Sequence, residues 1–166
     1  MRNRTMVILG MALLALTLAP AAAQSTSADT LTPASVLMDR AEELHRALRL
    51  DAAVRVYREV VTVQDSMGEL PVLALQRIAT IQLSEGQTGA AATTMDRLAE
   101  RAEWLGYPEI QARALIESAV LYQQLGARHA ARERVRRLEP LLGSPHLDAD
   151  TSNRIRSRLR VSLTLR

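Results

Sequence analysis

Two stretches of the chain, IQLSEGQTGAAA (residues 81–92) and LYQQLGARHAAR (residues 121–132), repeat a motif forty residues apart: Gly86 followed by Ala90 and Ala91, then Gly126 followed by Ala130 and Ala131. The correspondence extends in both directions. A leucine stands at Leu37, Leu75 and Leu115, and four residues later comes an alanine at Ala41, Ala79 and Ala119. Twelve residues further on lies a second alanine, at Ala53, Ala91 and Ala131. Larger side chains follow that alanine at Tyr57, Met95 and Val135, and again at Val60, Leu98 and Leu138. The spacings are 38 and 40 residues, within the range that signals stacked supersecondary units. Two antiparallel helices joined by a short turn approach closely only where their side chains are small. Alanine facing alanine therefore sets a tight hairpin, and the larger residues fill the space between hairpins.

Hydrophobic spacing supplies the helices. Thr32 before Pro33 is a good N-cap, and Val36, Leu37, Ala41, Leu44 and Leu48 predict a helix over 33–49. Asp51 is expected to cap a second helix carrying Ala53, Val54, Val56, Tyr57, Val60, Val61 and Val63, closed by Gly68. Its valines suit a strand, but the three-and-four spacing of Ala53, Tyr57 and Val60 favours helix. Pro71 opens a third, with Leu75, Ile78, Ala79 and Leu83, up to Gly86. A fourth runs from Thr88 or Gly89 through Met95 and Leu98 to Gly106, and a fifth from Pro108 through Leu115 and Tyr122 to Gly126. The sixth carries Ala131, Val135, Leu138 and Leu142 and stops at Gly143 and Pro145. Asp148 and Asp150 offer caps for a last helix with Ile155 and Leu159; the tail alternates like a strand, but with no second strand to pair with it is expected to be helix fraying near Leu163. The expected fold is all-α: three antiparallel helical hairpins forming an α-solenoid, plus a C-terminal capping helix, over residues 33–166.

The pattern resembles the tetratricopeptide repeat. Leu115, Ala119, Tyr122, Gly126 and Ala131 fit its consensus, as do Leu37, Ala41, Leu44, Ala53 and Tyr57. The resemblance covers about residues 33–142. It departs from the consensus where Leu48 replaces a turn glycine, where Gln82 takes an aromatic position, and in a spacing several residues above the usual 34 or so. That length looks like the extended repeats of some family members, and residues 148–163 would then cover the last hairpin's apolar face.

The resemblance implies a groove, lined by the first helix of each hairpin, that binds a peptide or protein surface. Residues flanking the core face would line it: Met38, Glu42 and His45 in the first hairpin, Gln76, Thr80 and Leu83 in the second, Arg113, Ile116, Val120 and Gln123 in the third. The asparagine and lysine pattern of family members that clamp a terminal carboxylate is missing. The sequence holds no recognisable motif for nucleophilic, metal or nucleotide chemistry. The histidines His45, His129 and His146 share no ligand spacing, and there is no HExxH, GxSxG or GxxxxGK[ST]. No enzyme, cofactor or metal is expected.

Residues 1–23 read as an export signal: Arg2 and Arg4, an apolar run over 6–19, the break at Pro20, then Ala21, Ala22 and Ala23, with cleavage after Ala23. The apolar run, fourteen residues, falls short of the roughly 20 a spanning helix needs. Residues 24–32 form a polar linker. With no cysteine, disulfides, thiol catalysis and a lipid-anchored N-terminus are excluded, and the expected location is periplasmic or secreted. All 21 basic residues are arginine, which points to genomic base composition in a GC-rich bacterial source.

Charge is unevenly distributed. Residues 127–166 hold ten arginines against four acids, a balance of +6, and residues 24–126 carry −5. An alternative role is therefore attachment to an anionic surface (lipopolysaccharide, membrane or nucleic acid) through Arg132, Arg134, Arg136, Arg137, Arg154, Arg156, Arg158 and Arg160. Export, and a supply of only one tryptophan, three tyrosines and no phenylalanine for stacking bases, argue against a nucleic acid. End-to-end self-association is a third reading, because three hairpins are near the minimum for a stable stack.

Overall fold

The computed structural model describes residues 32–162, which form seven α-helices and no strand. They are α1 (Pro33–Arg46), α2 (Leu50–Ser66), α3 (Val72–Ser84), α4 (Thr88–Leu105), α5 (Pro108–Gln124), α6 (Arg128–Leu142) and α7 (Ala149–Ser162). Each helix from α1 to α5 packs on the next in sequence, and α7 returns to α5. The export signal, most of the linker and the expected fraying near Leu163 lie outside the described residues.

Local chemistry sets the helix ends. The Thr32 hydroxyl accepts a hydrogen bond from the Ser35 amide at 3.2 Å, the cap expected for α1. Asp148 does the same for α7, its carboxylate accepting from the Thr151 amide at 2.8 Å. That hydrogen bond holds the Asp148 carboxyl below its ordinary range. Asp51 does not cap α2: the helix begins at Leu50, and Asp51 sits in the first turn, where its charge favours the amide end of the helix.

The first turn corrects the sequence reading most clearly. Leu48 is not on the apolar face of α1, which ends at Arg46; it is 80% exposed and holds φ at +57°. Its position matches Gly86 and Gly126, each at φ +74° in the corresponding turns. The Leu48 amide donates to the His45 carbonyl and the Arg49 amide to the Leu44 carbonyl, both at 2.9 Å. This closure needs one residue in the left-handed region, whatever its side chain.

The core runs along α1 to α6. Ala41, Ala53, Ala91, Ala119 and Ala131 are at most 1% exposed, and Leu75, Leu98, Leu115 and Leu138 are buried with them. One difference follows from position in the chain. Val36, Arg40 and Glu43 on α1 correspond to Ala74, Ile78 and Ile81 on α3 and to Ala114, Ser118 and Leu121 on α5. The α3 and α5 residues are buried, whereas Val36 is half exposed and Arg40 and Glu43 are exposed. The helices α3 and α5 have a helix pair before them to cover this side; α1 has none among the described residues, and charge replaces isoleucine there.

Polar groups join the layers as well. Asp96, on α4, is buried and collects donors from the next two helices. Arg134 reaches it with Nε at 3.1 Å and Nη2 at 2.6 Å, Tyr122 donates at 3.0 Å, and the buried Ser118 hydroxyl donates to Oδ1. The Arg134 guanidinium also lies over the Tyr122 ring, 4.5 Å from its centroid. Burial alone would raise the Asp96 carboxyl, but the donors from Arg134, Ser118 and Tyr122 outweigh it and hold the group below the usual carboxylate range. Forty residues earlier, on α3 and α4, the positions matching Tyr122 and Arg134 are Gln82 and Thr94, whose hydroxyl donates to the Gln82 amide oxygen at 2.8 Å.

Six ion pairs among the described residues bridge different helices and share one sense. Glu42 on α1 pairs with Arg77 on α3, and Asp65 on α2 with Arg97 and Arg101 on α4. Asp96 and Glu103 on α4 pair with Arg134 and Arg137 on α6, and Glu117 on α5 with Arg158 on α7. In all six the acid is on the earlier helix and the arginine two helices later.

Candidate functional site

A cavity of about 400 Å³ opens among the expected groove residues, between α3 and α5. Gln76, Thr80 and Leu83 line it from α3 and Val120 from α5, so four of the ten predicted groove residues meet there. Their placement follows from helical spacing. Gln76, Thr80 and Leu83 recur at intervals of four and three, one stripe beside the buried row of Leu75, Ile78 and Ala79. Ala79, Met95 and Leu121 form an apolar floor, and Leu73 and Leu83, each a little over 40% exposed, stand at the rim.

Charged residues that the sequence reading did not assign to the groove complete its wall. Arg77, Glu117 and Arg158 line the cavity. The Arg77 Nε donates to Glu42 at 2.7 Å, and Arg158 stands 3.7 Å from Glu117. The wall is therefore polar and nearly balanced in charge. The repeat itself held a signal for two of these residues, since Arg77 and Glu117 are forty positions apart and so occupy equivalent sites.

The other predicted groove residues divide by environment. Glu42 reaches the cavity only through Arg77. Met38 is partly buried against the core. The His45 Nδ1 lies 3.4 Å from the Tyr57 hydroxyl, with the two rings edge-on at 6.3 Å. Burial pushes that hydroxyl up to about 12, and the neighbouring Glu42 carboxylate adds to the effect. Arg113 is exposed and paired with Glu109 on the same helix. The Gln123 amide oxygen is buried with no hydrogen-bond partner. Ile116 corrects the prediction: at 1% exposure it belongs to the core and offers a partner nothing. Its helix, α5, packs on α4, α6 and α7 and so buries more than one face.

The arginines proposed for an anionic surface are also largely committed within the fold. Arg134, Arg136, Arg137, Arg154 and Arg158 pair with Asp96, Glu133, Glu103, Asp150 and Glu117. One of these pairs is half-enclosed: Arg134 is held by the buried Asp96, and its guanidinium is raised above its ordinary range by that hydrogen bond. Arg156 donates to the Leu142 carbonyl at 2.9 Å, fastening α7 to the end of α6. Arg132 is exposed, and Arg160 lies near the end of the same C-terminal helix as Arg156. Much of the excess positive charge of residues 127–166 thus meets acids that lie earlier in the chain.

Among the described residues no helix is long and apolar enough to cross a membrane, and no three His, Cys, Asp or Glu side chains are grouped to hold a metal ion. Comparison with protein-family models, curated proteins and solved structures gave no match.

Proposed function

We propose that the chain is a three-hairpin α-solenoid of the tetratricopeptide type, exported by residues 1–23, that binds a peptide or a segment of another protein in the groove between α3 and α5. The observation carrying this reading is the cavity itself, where Gln76, Thr80, Leu83 and Val120 converge over an apolar floor between two equivalent helices. Three features support the solenoid. Equivalent side chains meet in successive hairpins, Gln82 with Thr94 and Tyr122 with Arg134. Bridging ion pairs join α1 to α3, α2 to α4, α4 to α6 and α5 to α7, each to the helix two places on. The outward side of α1 is charged where α3 and α5 are apolar, as the terminal unit of a repeat array requires.

The groove suits an extended segment with small or medium apolar side chains and polar groups between them. Its floor supplies apolar surface, and its paired arginines and glutamates leave little net charge to attract a strongly ionic ligand. Peptides selected from a random display library on the wild-type protein provide the test. Val120→Glu and Leu83→Arg change wall residues without entering the core, so both variants should melt as the wild type does and bind the selected peptides at least about tenfold more weakly, about 1.4 kcal/mol. Equal affinity for wild type and both variants would remove the groove from consideration.

A further inference from the structure

A second cleft, of about 500 Å³, opens at the far end of α5, where the α4–α5 turn meets the segment between α6 and α7. Tyr107 and Pro108 line it from the turn, Gln111 from α5, and Leu141, Ser144 and His146 from the opposite side. It shares no residue with the groove between α3 and α5. Gln111 is 6% exposed, yet its side-chain amide makes no hydrogen bond among the described residues. An amide can donate twice and accept twice, and this one, bonded to nothing among the described residues, faces the cleft with those valences open to a ligand. Tyr107 is half exposed, and Trp104, the only tryptophan, stands three residues before it and is 72% exposed.

From this geometry we infer that the cleft binds an uncharged pyranose sugar, a unit of a glycan. No aspartate, glutamate or arginine lines it, in a chain with 23% charged residues, so nothing there selects an ion. Its polar groups are an amide, two hydroxyls and an imidazole, which both donate and accept, as sugar hydroxyls do. The Ser144 hydroxyl accepts from the His146 amide at 3.2 Å and keeps its own proton to donate. The electron-rich face of the Tyr107 ring attracts the polarised C–H bonds on one face of a pyranose.

The purified protein would be titrated with maltotriose, cellotriose and the N-acetylglucosamine trimer, followed by calorimetry and by the fluorescence of Trp104. We expect saturable binding of at least one of them, with Kd near about 1 mM. The substitution Gln111→Met keeps the volume and removes the amide. It should weaken binding about tenfold or more while the melting temperature stays near that of the wild type, because the amide bonds nothing among the described residues. Tyr107→Ala should abolish binding with the helix content unchanged. The inference is overturned if none of the three sugars binds saturably, if both variants bind as the wild type does, or if Gln111→Met lowers the melting temperature without weakening binding. It is equally overturned if the sugars fail and a peptide binds in a way that Tyr107→Ala abolishes.

Discussion

Replacing Asp96 by alanine should destabilise the protein more than any other single change to a charged residue. The carboxylate is the shared acceptor for Ser118, Tyr122 and Arg134, which come from two different helices. Its side chain is 10% exposed and that of Arg134 is 21% exposed. Loss of the acid leaves a mostly enclosed guanidinium without its counter-ion and a fully buried Ser118 hydroxyl without an acceptor. Stranding a buried charge costs about 3–5 kcal/mol, a range that already includes the loss of its charged hydrogen bonds. Tyr122 and Arg134 are partly open to water, which recovers some of this, so about 3 kcal/mol is the working expectation. At ~2.1 cal/mol/K per residue, a domain of this size loses about 3–4 °C per kcal/mol, and the melting temperature should fall by about 10 °C. Thermal and urea unfolding followed by circular dichroism would measure it. A companion variant, Asp96→Leu with Arg134→Met, removes both charges together and should recover most of the loss, since matched apolar residues in place of a buried pair are often neutral or better. A loss below about 1 kcal/mol for Asp96→Ala, or a double variant no more stable than the single one, would refute the assignment of Asp96 as the centre of the network.

Further outcomes follow from the same structure. Because the donors around Asp96 depress its carboxyl, its stabilisation is present above the ordinary carboxylate range and is lost as pH falls through the folded value; Asp96→Asn should flatten the acid limb of the stability profile measured by urea titration. Tyr57 behaves oppositely: its folded value near 12 lies above the ordinary 10, so stability should decline as pH rises from about 10 to about 12, and Tyr57→Phe should remove that decline. Leu48→Gly should raise stability by about 0.5–1 kcal/mol, relief of the left-handed backbone partly offset by a freer unfolded chain, whereas Gly126→Leu should lower it by about 1–2 kcal/mol in the same assay. Ile116→Arg should leave no cooperative melting transition at all, because a charge would replace a side chain that is 1% exposed.

Much of this was legible in the sequence where one physical signal dominated. Helix positions followed from three-and-four spacing, and the turns from Gly68, Gly86, Gly106 and Gly126, all at positive φ. The turn at Leu48 was harder to see, because leucine normally marks a buried helix face, and only its alignment with Gly86 and Gly126 betrays its backbone angle. Asp96 was invisible for a related reason: a lone acid inside a helix reads as surface, and its partners are 22, 26 and 38 residues away. The groove was half legible. The α3 side followed its stripe, but on α5 the assumption of one buried face failed, because this helix packs on three neighbours and takes Ile116 inward. The cleft around Gln111 involves a turn and a connecting segment, where spacing carries no signal.

The one-way sense of the bridging ion pairs has a consequence for shuffling the chain. Because in these pairs the acid comes first and the arginine two helices later, the helix pairs are not interchangeable like beads on a string: transposing α1–α2 with α3–α4 would set Arg97 and Arg101 away from Asp65 and bring Glu42 toward Glu117, the residue forty positions after Arg77. Gene rearrangements that keep the original succession retain these attractions, and those that invert it lose them, so electrostatics here reads the layers in a single direction.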